Sequence, residues 1–236
     1  MDTISSLTQP VPLHRSIYVR PPAYYYISAE STGQCQKDLY ELARSTGAFS
    51  ESQIGEIAYQ LLTQLKELHA LSLNLLLLTP QNILVRSESK TSADPIIVDI
   101  VDVIPMLMTC MKNPDGFSFV SGVDRLFLAP ELNLSDKGPQ NDVWSLGVIL
   151  YLMITGGRSG KRTTERLTFN EEVWNTVSGN LKIFVMDMLQ VEASQRTGVN
   201  DLLQHEFLQD YANEKLDGSK IEETNLDTSG ANLLQF

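Results

Sequence analysis

Cysteine is scarce in this chain of 236 residues: Cys35 and Cys110 are the only two, and they have neither metal-ligand spacing nor the density of a disulfide scaffold. A reducing, cytoplasmic setting, with association to the cytoskeleton as one form of it, is the expectation. Long apolar runs are missing as well. The longest, Val148 to Ile154, falls far short of the roughly 20 residues that span a bilayer, so no membrane segment is expected. The start Met1-Asp-Thr-Ile-Ser-Ser lacks the basic and apolar regions of a secretory signal. Positive charge is in deficit, with 18 Lys and Arg against 29 Asp and Glu, a net charge of −11 and a pI near 4.7. Affinity for nucleic acid comes largely from clustered Lys and Arg, so nucleic acid is excluded as the main partner. No lysine precedes Lys37, no G-x-G-x-x-G is present, and Asp217-Gly218 and Asp227 lack the spacing of a calcium loop.

What is present is ordinary globular composition, 42% hydrophobic and 20% charged, enough to bury one substantial core. Residues 1–15, with Pro10 and Pro12, read as an N-terminal arm. Ile17-Tyr18-Val19 and Tyr24-Tyr25-Tyr26-Ile27 flank Arg20-Pro21-Pro22 and predict a hairpin. A short helix is expected from Lys37 to Arg44, ending at Gly47. Ser50 and Gln53 form a capping box, and Ile54, Ile57, Ala58, Leu61, Leu65 and Leu68 continue it with the period of one buried helix face. Asn82 to Arg86 and Pro95 to Ile100 are short β-rich runs around a polar segment, and they predict a second hairpin. Val103 to Phe127 has no sustained period and reads as a long loop, with a helical turn at Met106 to Met108. Asp142 to Thr155 is a helix apolar on most faces, hence central, and Gly156-Gly157 stops it. A basic loop from Arg158 to Arg166 follows, then helices from Leu181 to Leu189 and from Val199 to Leu208. Residues 209–236 form an acidic tail that carries six acids against two lysines before Leu233-Leu234-Gln235-Phe236.

Several motifs stand in one order. Leu73-Asn-Leu-Leu-Leu-Leu-Thr-Pro-Gln-Asn-Ile-Leu-Val85 resembles the protein-kinase catalytic loop H-R-D-L-x-P-x-N-I-L at Pro80, Asn82, Ile83 and Leu84. Phe127-Leu128-Ala129-Pro130-Glu131 is similar to the segment ending in Ala-Pro-Glu. Asp142-Val-Trp-Ser-Leu-Gly-Val-Ile-Leu-Tyr151 matches the central helix of that family, and His205-Glu206-Phe207 its closing H-P-F. On these residues, positions 16–208 resemble a eukaryotic protein kinase, and the resemblance implies an α+β, mainly α fold. The large helical lobe is expected with only a residual β-hairpin of the small lobe. The stretches Asn82 to Asp94 and Phe169 to Ser178 are similar to the calcium-dependent protein kinases.

The resemblance also implies what is lost. It puts Leu75, Leu76 and Leu77 at the His, Arg and catalytic Asp positions, and leucine can neither accept a proton nor hold a phosphate. Asn82 and Asp99 match the two metal-holding positions, with the D-F-G triplet altered to Asp99-Ile100-Val101. Two readings stand for this pair: residual Mg and ATP binding, or Asn82 bonding its own turn and Asp99 closing a strand end. By the same resemblance Glu131 and Arg196 form a structural ion pair, and Asp142 anchors the backbone of the leucine loop. His14, His69 and His205 are isolated in sequence and read as packing or surface residues. The expectation is therefore a catalytically inactive pseudokinase, without a bound cofactor, that acts as a scaffold. Leu75, Leu76 and Leu77 are expected to face outward, under a missing small lobe, as a contact site covered by residues 1–15, by the acidic tail or by a protein partner.

Overall fold

The computed structural model describes residues 15–20, 24–29, 37–75, 77–86, 96–100, 126–131, 138–156 and 171–209. The expected arm and tail, the loop at 103–127 up to its last two residues, the turn at Met106 to Met108, the basic loop at 158–166, both cysteines and His14 lie outside these residues. Strands β1 (Arg15–Arg20) and β2 (Tyr24–Ala29) pair antiparallel, with Ile17 opposite Ile27 and Val19 opposite Tyr25, so the predicted first hairpin is present.

Lys37 and Asp38 do not begin a helix as expected. They form a short strand, β3 (Lys37–Asp38), against β4 (Ile83–Arg86), which in turn pairs with β5 (Ile97–Ile100), giving the order β3-β4-β5. The helix starts two residues later, at Leu39, because the carboxylate of Asp38 accepts the amide N–H of Glu41 at 2.7 Å, an N-cap that ends the extended backbone at that point. Helix α1 (Leu39–Thr46) then stops at Gly47, whose φ of 80° suits a residue without a Cβ.

Helix α2 (Glu51–Ala70) opens with the predicted capping box: Gln53 N–H donates to Ser50 Oγ, and Ser50 N–H to Gln53 Oε1. Its periodic face, Ile54, Ile57, Ala58, Leu61, Leu65 and Leu68, is buried. The helix ends on an unusual residue. Ser72 takes φ of 60°, Ser72 N–H donates to His69 O and Leu73 N–H to Leu68 O, the paired bonds of a Schellman motif with serine where glycine is usual. Leu68 and Leu73, the apolar pair that accompanies such a motif, are both buried, and the chain is turned back toward the core.

The polar residues of α2 also have structural work. Gln60 donates to Ile96 O at 2.7 Å and accepts from Val98 N–H; Gln64, one turn on, donates to Val98 O at 2.7 Å and accepts from Ile100 N–H. Two glutamines four apart advance by about 6 Å on a helix, close to the two-residue step of a strand, so they complete the backbone bonds of β5 on its side facing α2.

Helix α3 (Gln140–Ile154) is the centre of the fold, with 13 of its residues buried, Trp144 and Tyr151 among them. Its C-terminal end locks onto the α1–α2 linker: Phe49 N–H donates to Met153 O, and a Cβ on Gly156 would lie 2.8 Å from Ala48 N. Helix α4 (Glu171–Trp174) sets the Trp174 ring 6.0 Å from that of Tyr151. Helix α5 (Gly179–Met188) crosses α3 at Gly147, where a Cβ would stand 2.8 Å from Met188 Cβ. The final predicted helix is shorter than expected. Helix α6 (Val199–Leu202) ends where the amides of Gln204 and His205 turn to Asp201 O and Leu202 O, three residues back; His205 Nδ1 then takes the amide N–H of Phe207, and helical bonding resumes at Leu208.

Candidate functional site

The leucine loop leaves the Schellman turn and is caught at once by α3. Asp142, fully buried in the first turn of α3, accepts the amide N–H of Leu75 at 2.9 Å through Oδ2. This is the anchoring role that the resemblance assigned to Asp142. The same oxygen lies 2.8 Å from His69 Nε2, within hydrogen-bonding distance. His69 is thus a partner of the loop anchor rather than an isolated side chain. Its separation from Asp142 in sequence gave no signal of this.

Held so, the loop turns its leucines inward. Leu73, Leu75, Leu77 and Leu78 are all buried in the common apolar core, Leu77 with 4% of its surface exposed. The expected outward-facing patch at Leu75, Leu76 and Leu77 is therefore corrected for Leu75 and Leu77, while Leu76 lies outside the described residues. The physical reason is that each leucine side chain left in water forgoes about 1.5–3 kcal/mol, and this chain supplies its own cover for these two.

After the leucines, Thr79 and Pro80 lead through a 3-10 turn into β4. Thr79 Oγ1 donates to Asn82 Oδ1 at 2.8 Å, which engages the oxygen that a cation at the family's metal position would take. Asp99 is fully buried on β5, opposite Leu84, while Ile83 faces Ile100. This register brings Asn82 and Asp99 to the same end of the hairpin. An Asn oxygen and a carboxylate are donor types that Mg takes alongside water and phosphate oxygens, so this pair could hold the ion only as part of such a set. Among the described residues no group of three His, Cys, Asp or Glu is placed to hold a metal ion.

A second constellation is structural. Arg196 meets Glu131 in a two-pronged pair, NH1 to Oε1 at 2.7 Å and NH2 to Oε2 at 3.0 Å, as the resemblance implied. The remaining guanidinium hydrogens go to Gln140 O and Gln190 O, and the group lies 5.2 Å from the Trp144 ring centre. Trp144 Nε1 donates to Leu126 O and Ser145 Oγ to Phe127 O, so α3 grips the Ala-Pro-Glu segment by its backbone. His205 packs its ring 5.0 Å from that of Phe184, a packing residue as expected.

The comparisons with known proteins agree with this geometry. A family model described as protein kinase domain matches residues 14–208. The calcium/calmodulin-dependent protein kinase cmkA of Emericella nidulans is 27% identical over 224 residues, covering 88% of this chain and 51% of that protein. Calcium-dependent protein kinase 25 of Arabidopsis thaliana is 26% identical over 186 residues, 75% of this chain and 34% of the relative. The chain thus spans between a third and a half of the length of these relatives. Among solved structures, Rad53 1–466 in complex with AMP-PNP superposes with a TM-score of 0.62 at 24% identity, covering 86% of this chain and 52% of that one, a likeness of fold.

Proposed function

The chain belongs to the protein kinase family, in its large-lobe fold with a small sheet, and on that premise we propose that it is a non-catalytic member serving as a scaffold or interaction subunit of a larger assembly. The observation that carries this reading is Leu77. It stands at the position of the catalytic base, has no lone pair to accept a proton, and is packed in the core. Leu75 and Leu76 replace the neighbouring polar positions, and no glycine-rich phosphate loop occurs in the sequence. A fold that keeps the Arg196–Glu131 pair and the Asp142 anchor while replacing the base retains shape, and shape is what a scaffold uses. Its partner is a protein, and its setting cytoplasmic or cytoskeletal.

Incubation of the purified chain with Mg and γ-labelled ATP tests the first half, with transfer to itself and to generic serine, threonine and tyrosine substrates as the readout. Incorporation at the level of a protein-free blank is expected, and transfer that scales with enzyme concentration refutes the proposal. The second half is tested by the native size of the protein in its source extract. Migration well above 26.4 kDa is expected, and elution as a monomer of that mass counts against a scaffold.

The shared position of Asn82 and Asp99 supports an alternative, a degenerate regulator that binds nucleotide and Mg without turning it over. A saturable thermal shift with Mg and ATP that disappears in Asp99→Ala selects this alternative; no saturable shift selects the scaffold.

A further inference from the structure

A cleft of about 430 Å³ lies where the last turns of α2 meet the first residues of α3 and α6. Lys66 and His69 line it from α2, Gln140 and Val143 from α3, and Val199 and Asp201 from α6. Its volume falls within the roughly 300–1,000 Å³ that small-molecule sites occupy. Both walls are held from behind. His69, whose side chain is 13% exposed, is tied through Nε2 to the fully buried carboxylate of Asp142 at 2.8 Å. At the start of α3, Gln140 O accepts from Arg196 NH1 at 2.7 Å, and Gly138 O accepts from Asn141 Nδ2 at 3.0 Å. The cleft is therefore formed before a ligand arrives, which spares binding the cost of ordering it.

The polar groups that line this cleft lack partners in the fold. Lys66 and His69 stand three apart and share one side of α2, so an ammonium and an imidazole come from the same wall. A carboxylate, Asp201, comes from the other. Lys66 and Asp201 are exposed, and among the described residues neither side chain makes a hydrogen bond or an ion pair. The contact with Asp142 is the only hydrogen bond of the His69 ring there, so Nδ1 is unpaired. Among the described residues just two buried side-chain polar atoms lack a partner, and they are neighbours, Gln140 Oε1 and Asn141 Oδ1. Buried acceptors are nearly always paired, so an orphan on the lining residue Gln140 marks a place open to a donor. Val143 and Val199, both buried, supply apolar surface beside these groups.

A simple anion in this cleft meets the Asp201 carboxylate, and a simple cation meets Lys66; a molecule that carries both charges satisfies both. We propose that the cleft binds a small zwitterion of the amino-acid or dipeptide type. Its carboxylate takes Lys66 and His69, and its ammonium group takes Asp201 and, after a turn of the glutamine amide, Gln140 Oε1. A short aliphatic body lies on Val143 and Val199.

Calorimetric titration of the full-length chain with valyl-valine tests this, with N-acetyl-valyl-valine and valyl-valine amide as probes that each lack one charge. Saturable heat is expected for valyl-valine, and each capped form is expected to bind about fivefold more weakly, the weight of one exposed charge pair. Lys66→Met is expected to weaken binding of the free dipeptide but not of its amide, and Asp201→Asn to weaken the free dipeptide but not the N-acetyl form. Gln140→Met keeps the carbonyl that Arg196 holds and removes an unpaired acceptor. It is expected to weaken binding while the urea midpoint of the ligand-free protein stays the same or rises. No saturable heat with any of the three dipeptides overturns the proposal, as does equal binding of all three. Affinities indifferent to Lys66→Met and Asp201→Asn overturn it too, and so does a lowered midpoint in Gln140→Met, which makes that side chain structural.

Discussion

Replacing Leu77 by aspartate puts a carboxyl group at the position that the resemblance matches to the catalytic Asp, and the structure predicts that it damages the fold. Leu77 is 4% exposed and belongs to the common core. Removing its side chain from that environment forfeits about 1.5–3 kcal/mol of burial. The aspartate put in its place must bury a carboxyl group, and a polar group buried without a partner costs about a further 1–3 kcal/mol in proteins even when it avoids ionisation. The sum, about 2.5–6 kcal/mol, is a large part of the whole stability of many domains, which lies at about 5–15 kcal/mol. Urea unfolding followed by the fluorescence of buried Trp144 measures it directly. Leu77→Ala serves as the reference for cavity formation alone and is expected to cost about 2–5 kcal/mol. A Leu77→Asp protein with an unchanged urea midpoint refutes the reasoning, and one that also gains phosphotransfer shows that position 77 faces an open cleft.

Arg196→Ala is expected to cost about 3–5 kcal/mol, because it strands Glu131 and the carbonyls of Gln140 and Gln190 together. Glu131→Ala is expected to cost less, since Arg196 keeps its carbonyl partners and Glu131 is 24% exposed; equal losses in urea titrations contradict that ordering. Gly147→Ala forces a Cβ to within 2.8 Å of Met188 Cβ and 2.9 Å of Leu189 Cδ2, an overpacking penalty of about 1–3 kcal/mol, to be read from thermal unfolding. Gln64→Leu leaves Val98 O and Ile100 N–H without their side-chain partner, at about 1–3 kcal/mol for each group left unsatisfied. Hydrogen exchange at the Ile100 amide is expected to quicken selectively, and unaltered exchange there refutes the amide ladder.

Local signals carried much of the architecture. The capping box at Ser50, the periodic face of α2, the two hairpins and the central helix are each written in a few neighbouring residues, and each is present. The boundaries missed are those set by a single side chain acting out of pattern. Asp38 began α1 by capping it, and His205 took the amide of Phe207 within the stretch expected as one helix. Ser72 closed α2 in a conformation that composition alone would assign to glycine. The Gln60–Gln64 ladder was invisible for a different reason: two glutamines in a helix read as surface until the strand they serve is placed against them.

The sequence by itself determined the family. Spaced motifs such as Asp142 to Tyr151 and Phe127 to Glu131 report a fold whose parts need those residues in that order. Which way Leu75 and Leu77 point was a question for the tertiary structure alone. A run of apolar residues says that burial is favourable, and it does not say by what. That was decided by Asp142, 67 residues away from Leu75, whose carboxylate holds the loop backbone against α3 and turns Leu75 and Leu77 into the core of their own chain.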